Sequence, residues 1–354
     1  MGNKTPKTIL ESQFAKSVGK LQALSIDQAR EFVANGYVVV KSAFSQEIAE
    51  QICKYAWSEL SENHGISMGD RSTWRSHPHG YIRTNGQNLH INLAEHAQKA
   101  LHAQADVAGG INRLHQDGKR LAFTGGVITN FGVENHGEWR PPGRQLGGWH
   151  KDGWHFRHFL DSPEQGLLTV PLYTQVLKES GGTFLARDSI APVARLLAKY
   201  PTGFHADSVQ GAGYLIPYLI DQCSDFVELT GEPGDLAILH PFMLHRRSIN
   251  PTDRPRFIAN LAIVLKDPMN FCREPDDHYS LVELAVLRAL SKSSLGYEPA
   301  NPREAFVPLP FRDEKEAKLR HKQLTIEMKQ MASDGIVTPE WGSRFGYMSN
   351  ALSN

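Results

Sequence analysis

What most limits the folds open to this chain is its long middle stretch, from about Leu121 to Lys266, where short β-favouring runs are broken repeatedly by Gly, Pro, Asn and Asp. The runs are Gly126–Phe131, Leu167–Val176, Thr183–Ala186, Tyr214–Ile220, Asp235–Leu239 and Phe257–Leu265. Apolar runs bounded by turn residues read as strands. Many of them in succession predict an antiparallel sandwich or barrel.

Helical spacing flanks this stretch on both sides. Ser25-Ile26-Asp27-Gln28 has the form of a capping box, Ala29, Phe32 and Val33 follow it, and Asn35-Gly36 is a stop before the β run Tyr37–Val40. Ile48, Ile52, Tyr55, Ala56 and Leu60 mark a second amphipathic helix, and a further one is expected near Leu93–Val107. Beyond Pro268, Leu281, Leu284, Ala285, Leu287 and Leu290 return to helical spacing, and a charged helix is expected over about Asp313–Met331. No linker or repeat divides the chain. The expectation is one mainly β domain with flanking helices: residues 1–120 as N-terminal helices and loops around the first strands, 121–267 as the core carrying the site, and 268–354 as a helical extension.

Lys plus Arg number 38, equal to Asp plus Glu, so zero formal charge argues against a nucleic-acid binder. No run of about 18 apolar residues occurs, so no membrane span is expected. Cys53, Cys223 and Cys272 are isolated and odd in number, which predicts a reducing, cytoplasmic setting and no thiolate metal site. The anomaly in composition is the 16 histidines, crowded between His150 and His158 and again at His240 and His245. Clustered imidazole points to a metal.

A redox-active ferrous centre must keep coordination positions open, so two imidazoles and one carboxylate on one face suit it. Residues i and i+2 of an extended strand project to one side, so His-x-Asp delivers one nitrogen and one oxygen ligand together. Three such triplets occur. His115-Gln116-Asp117 runs into Gly118-Lys119-Arg120, and His205-Ala206-Asp207 follows Pro201-Thr202-Gly203, so both read as surface turns. His150-Lys151-Asp152 instead lies between Trp149 and Trp154, indoles able to exclude water, although packing is the plainer role for each.

His150-x-Asp152, then His245 at 93 positions further, then Arg256 at eleven more, resembles the Fe(II)/2-oxoglutarate-dependent dioxygenases, specifically their phytanoyl-CoA dioxygenase-like (PhyH) branch. The helix-to-strand opening over Leu24–Val40 and the turn Glu179-Ser180-Gly181-Gly182-Thr183 are similar to that branch as well, and the likeness spans roughly residues 24–265. It implies a double-stranded β-helix (jelly-roll, cupin-like) core. It also implies Fe(II) on His150, Asp152 and His245, with 2-oxoglutarate and O2 as co-substrates and Arg256 pairing with the distal carboxylate of 2-oxoglutarate. The implied reaction turns 2-oxoglutarate and O2 into succinate and CO2 while hydroxylating, desaturating or cyclising an unactivated C–H of a small or specialised metabolite. An acyl-CoA substrate stays open. Retention of Asp152 speaks against halogenation, since halogenases of this kind carry Gly or Ala there.

Several assignments have rivals. His240 competes with His245 and Arg254 with Arg256, but the eleven-residue interval favours His245 and Arg256. Thr129, Asn130 and Gln145 are candidates for contacts to 2-oxoglutarate, against the plain reading of polar residues on a half-exposed strand. The resembled enzymes often carry a hydroxyl two residues after the distal histidine; here Arg247 stands there, a departure. Arg144, Lys151, Arg157 and Arg246 can steer an anionic substrate or simply form a solvated rim. A non-oxidative cupin-like zinc hydrolase or isomerase is the alternative of a different class.

Overall fold

A computed structural model describes residues 6–76, 79–82, 97–115, 126–132, 138–209, 215–307 and 312–336. At the N-terminus α1 (Pro6–Val18) leads to α2 (Ile26–Asn35). The capping box of α2 is complete: Ser25 accepts from the Gln28 backbone, and the Gln28 side chain accepts from the Ser25 backbone. Gly36 then adopts φ 74°, and a Cβ there would lie 2.4 Å from Ile190 Cδ1 and 2.9 Å from Met243 Cε. Only glycine satisfies both the left-handed turn and the close packing, and the turn delivers the chain directly into β1 (Tyr37–Val40). After it comes α3 (Gln46–His64).

The remaining strands are β2 (His79–Ile82), β3 (Val127–Asn130), β4 (Leu167–Pro171), β5 (Thr183–Ala186), β6 (Phe226–Glu228), β7 (Leu236–Leu239), β8 (Leu244–Arg247), β9 (Arg256–Ile258) and β10 (Leu261–Ile263). Among the described residues they form three antiparallel sheets ordered β1-β7-β4-β10, β2-β3-β9 and β6-β5-β8. An antiparallel bridge between Leu172 and Ile258 ties the first sheet to the second.

The period of two along each strand sorts side chains into two layers. Leu168, Val170, Ala237, Leu239, Leu185 and Ile258 pack with Met243 into an interior shared by all three sheets. Their strand neighbours Leu167, Leu236, Ile238, Phe184 and Phe257 face the other way, into the cluster that the helices cover. Any inward-pointing residue near a strand end therefore opens onto the enclosed side. That geometry positions the site.

Two predicted segments fold differently. Of the run Tyr214–Ile220, expected as a strand, Tyr214 lies outside the described residues and Leu215–Ile220 is a short helix; all its residues but Tyr218 are buried, and Pro217 sits in the first turn where no backbone N–H is needed. A short apolar run that is buried all round carries no period to separate strand from helix. The other is the run Phe257–Leu265, which splits into β9 and β10. The helix expected near Leu93–Val107 runs over Gln98–Ala108, with residues 93–96 outside the described ones.

In the C-terminal part, Leu281–Ala289 is a helix with a second capping box, Ser280 with Glu283, and it packs on α1, α2, and the helices Gln98–Ala108 and Ile190–Lys199. The last described helix, Glu314–Ser333, has Asp313 as its cap. Among the described residues no helix is long and apolar enough to cross a membrane.

Candidate metal centre

His150 and His245 are joined by a two-way backbone bridge: His150 N–H donates to His245 O at 3.0 Å and His245 N–H to His150 O at 2.9 Å. Residues far apart in sequence thereby become cross-strand neighbours, with ring centroids 4.3 Å apart. Asp152 follows two residues after His150, and its Oδ1 lies 3.5 Å from His150 Nε2 and 3.6 Å from His245 Nε2. One donor atom from each of the three lies within 4.8 Å of the others. His150, Asp152 and His245 can thus hold one metal ion. His150 and His245 are both in strand-like pairing, and Asp152 reaches the site from the bend just after His150.

The ring orientations fit metal ligation. His150 Nδ1 lies 3.0 Å from Gly148 O and His245 Nδ1 lies 3.1 Å from Met243 O. A carbonyl oxygen only accepts, so each Nδ1 carries the proton and each Nε2 turns a lone pair toward Asp152. Burial, then the neighbouring His150, pushes the His245 pKa down to about 4, which keeps that imidazole neutral. His245 Nε2 shows that a cation fits here. The nitrogen is buried and has no hydrogen-bond partner, a cost of about 1–3 kcal/mol for a polar atom left so. A cation between the two imidazoles and Asp152 would satisfy it.

Lys151, between two ligands in sequence, points away from them. It is buried, with its Nζ 2.8 Å from His158 Nδ1 and 3.2 Å from Asp152 O, and burial pushes its pKa down to about 7. The solvated-rim reading fails for it and for Arg157, which pairs with Glu304 and Glu327. Trp149 is buried, donates to Gly143 O and packs on Phe226 in the helix-covered cluster; Trp154 is exposed.

Arg256 opens β9 and is only 3% exposed. Its Nη1 donates to Thr183 Oγ1 at 3.4 Å, its Nε is buried without a partner, and no carboxylate among the described residues lies within ion-pair distance. Burial, then the charge of Arg247, pushes its pKa down to about 10. Arg254, the rival, is exposed and donates to Gln175. His240, the other rival, is buried between Phe32, Phe242 and the Val282 carbonyl, away from the three ligands.

The other candidates separate by strand face. Asn130 is the cross-strand partner of Arg256 and shares its inward face, but its Nδ2 already donates to Gly181 O and Ser248 O. Only the acceptor Oδ1 of Asn130 is left, buried and unpartnered. Thr129 pairs with Phe257 on the opposite face and its hydroxyl donates to Gly80 O, so it is turned away from Arg256. Gln145 is exposed in the turn before Gly147, folded back on Gly143.

The surface reading of His205-Ala206-Asp207 is overturned. His205 is fully buried, its backbone held by Glu327, and Asp207 pairs with Arg312 and Arg320. Of the first triplet, His115 is exposed, and Gln116 and Asp117 lie outside the described residues. Sequence reasoning also missed that Arg320, buried in the last helix, donates to Trp154 O beside the metal loop.

No protein-family model and no curated protein matches the chain. Solved structures do resemble it at low identity. The epimerase SnoN in complex with Fe3+, alpha ketoglutarate and nogalamycin RO is 15% identical over 80% of this chain and 95% of that one, with TM-score 0.43. EctD from S. alaskensis with bound Fe is 18% identical over 71% and 82%, with TM-score 0.39. HygX from Streptomyces hygroscopicus with nickel and 2-oxoglutarate bound is 12% identical over 69% and 88%, with TM-score 0.41. Likeness at this level decides neither reaction nor substrate, and the functional reading rests on the site's own atoms.

Proposed function

We infer that this chain is an Fe(II)/2-oxoglutarate-dependent oxygenase of the PhyH-like branch, with a jelly-roll core, acting on a small or specialised metabolite. The observation that carries the reading is the pairing of an open two-His, one-Asp site with a buried guanidinium that has no counter-ion among the described residues. Thr183, the contact of Arg256, stands two residues from Leu185, the cross-strand partner of His245. Arg256 therefore reaches the interior roughly 7 Å along the sheet from the metal ligand, at about 3.4 Å per residue. A five-carbon 2-oxo diacid that chelates at one end spans such an interval, and its far carboxylate supplies the anion that Arg256 lacks. A zinc hydrolase would leave Arg256 without a role.

Iron bound by the three ligands would supply the O2 chemistry, with 2-oxoglutarate as the reductant and succinate and CO2 as by-products. The protein's own share is positional. The carbonyls of Gly148 and Met243 fix both imidazoles in the ligating tautomer, and Asp152 contributes the single negative charge. Arg256 orients the co-substrate, while the apolar interior keeps water out. Hydroxylation is the outcome assigned, with desaturation or ring closure available from the same oxidant.

The test is anaerobic addition of Fe(II) and 2-oxoglutarate. A weak visible metal-to-ligand charge-transfer band is expected for the native chain and should vanish in His245→Ala and Asp152→Ala, which should keep the native circular dichroism. No band in the native chain, or full succinate release from either variant, would refute the assignment.

A further inference from the structure

Arg247 is the departure noted above, and its position gives it a use. It lies two residues after His245 on β8 and so shares the inward face with His245 and Met243, whereas Arg246 turns outward over the ring of Phe184. Its cross-strand partner is Thr183, whose hydroxyl touches Arg256, so the two guanidinium side chains flank one residue. Arg247 is exposed where Arg256 is buried, which puts it on the solvent side of the same opening. Arg157, Arg187, Arg303 and Arg312 each hold an Asp or Glu. Arg247 makes no ion pair with any described residue, and Arg256 makes none either.

A count of charge states what this pair does, given the function inferred above. A divalent metal, Asp152, Arg256 and a 2-oxo dicarboxylate dianion sum to zero when both imidazoles are neutral. Lys151 is directed away, toward His158. Arg247 then leaves the loaded site one positive charge in excess at its solvent-facing edge, where a substrate anion that covers the guanidinium would meet it. We propose that Arg247 recognises a carboxylate or phosphate group on the primary substrate, making this a site for anionic metabolites. The two sources share one chemistry, an oxyanion held by a planar fork of N–H donors.

The experiment uses the full chain loaded with Mn(II) and 2-oxoglutarate, with inorganic phosphate and acetate as separate probes. Paramagnetic relaxation of phosphate 31P and of the acetate carboxyl 13C reports an anion bound near the metal. Saturable enhancement is expected for at least one probe, and which one responds separates phosphate-bearing from carboxylate-bearing substrates. Arg247→Met should weaken that probe about tenfold, as loss of one charge-assisted contact entails, and Arg247→Lys should restore part of it. The affinity for 2-oxoglutarate should fall steeply in Arg256→Met and stay near native in Arg247→Met. If 2-oxoglutarate binds but neither probe saturates, the proposal is overturned. It is equally overturned if Arg247→Met weakens 2-oxoglutarate as much as Arg256→Met does, since Arg247 would then serve the co-substrate. Failure of 2-oxoglutarate itself to bind the native Mn(II) form overturns the parent reading, a separately visible result.

Discussion

Replacing Arg256 by Met should stabilise the ligand-free protein while removing its response to 2-oxoglutarate. Burial pushes this guanidinium from 12.5 down to about 10, so its charged form is penalised in the folded state at every pH below about 10, and the penalty fades only as pH rises toward 12.5. At pH 7 the whole penalty is present, about 3 kcal/mol at 1.36 kcal/mol per pH unit. Met fills similar space without charge, and the long contact to Thr183 that is lost contributes about 1 kcal/mol at most. The net gain is about 2 kcal/mol. For 354 residues the unfolding entropy is about 0.7 kcal/mol per degree, so Tm should rise by about 3 °C. Ligand at a thousand times its Kd adds about 4 kcal/mol to the native protein and nothing to the variant, so the order of Tm values should reverse. Differential scanning fluorimetry on Ni(II)-loaded samples, with and without 2-oxoglutarate, reads both comparisons. A variant that melts below the native protein without ligand, or gains as much from 2-oxoglutarate, would refute the claim that Arg256 is an uncompensated cation awaiting this anion.

Arg320→Met should destabilise by about 3 kcal/mol, because it strips a buried donor from Asp207, Trp154 O and Val307 O; equilibrium urea unfolding measures this, and a loss under 1 kcal/mol would show the network to be ornamental. Gly132→Ala puts a Cβ 1.5 Å from Thr252 O, so the end of β3 must move; a loss of about 3 kcal/mol is expected in the same assay, and native stability would contradict the packing. Burial lowers the pKa of His205 to about 4 and of His240 to about 3, so the unfolded chain binds their protons first. Stability should therefore be unaffected by these residues above pH 6.5 and fall as pH drops from 6.5 toward 4, and His240→Leu should flatten that slope; an unchanged slope would assign the acid loss elsewhere.

How much of this was legible in the sequence depends on whether a residue's role is local. The capping boxes at Ser25 and Ser280 and the stop at Gly36 are set by atoms a few positions apart, and the Ser25 box and Gly36 stop read correctly for that reason. The strands Thr183–Ala186 and Leu236–Leu239 read well because their apolar runs are bounded by Gly, Asp and Pro. Thr129 and Asn130 show the limit. They are adjacent and equally polar, and only the pairing of β3 with β9 decides that Asn130 joins Arg256 while Thr129 joins Phe257. Leu215–Ile220 failed because a uniformly apolar run fits either period.

The His205-Ala206-Asp207 triplet failed for a longer-range reason, and its burial bears on the metal loop. Nothing near Asp207 in sequence neutralises it; Arg312 and Arg320 arrive from over a hundred residues downstream and convert what reads as a turn into a buried ion cluster. The same Arg320 donates to Trp154 O, Glu327 from that helix pairs with Arg157, and Phe306 N–H donates to His155 O. Residues 154–157 are thus held from behind by the C-terminal extension, while Lys151 N–H is held by Val209 O. Asp152 is the one candidate ligand without strand pairing of its own, so the rigidity that β8 gives His245 must reach Asp152 through these contacts. The helix Glu314–Ser333 in this sense helps to shape the candidate metal site, which a pattern of ligand spacings alone has no means to express.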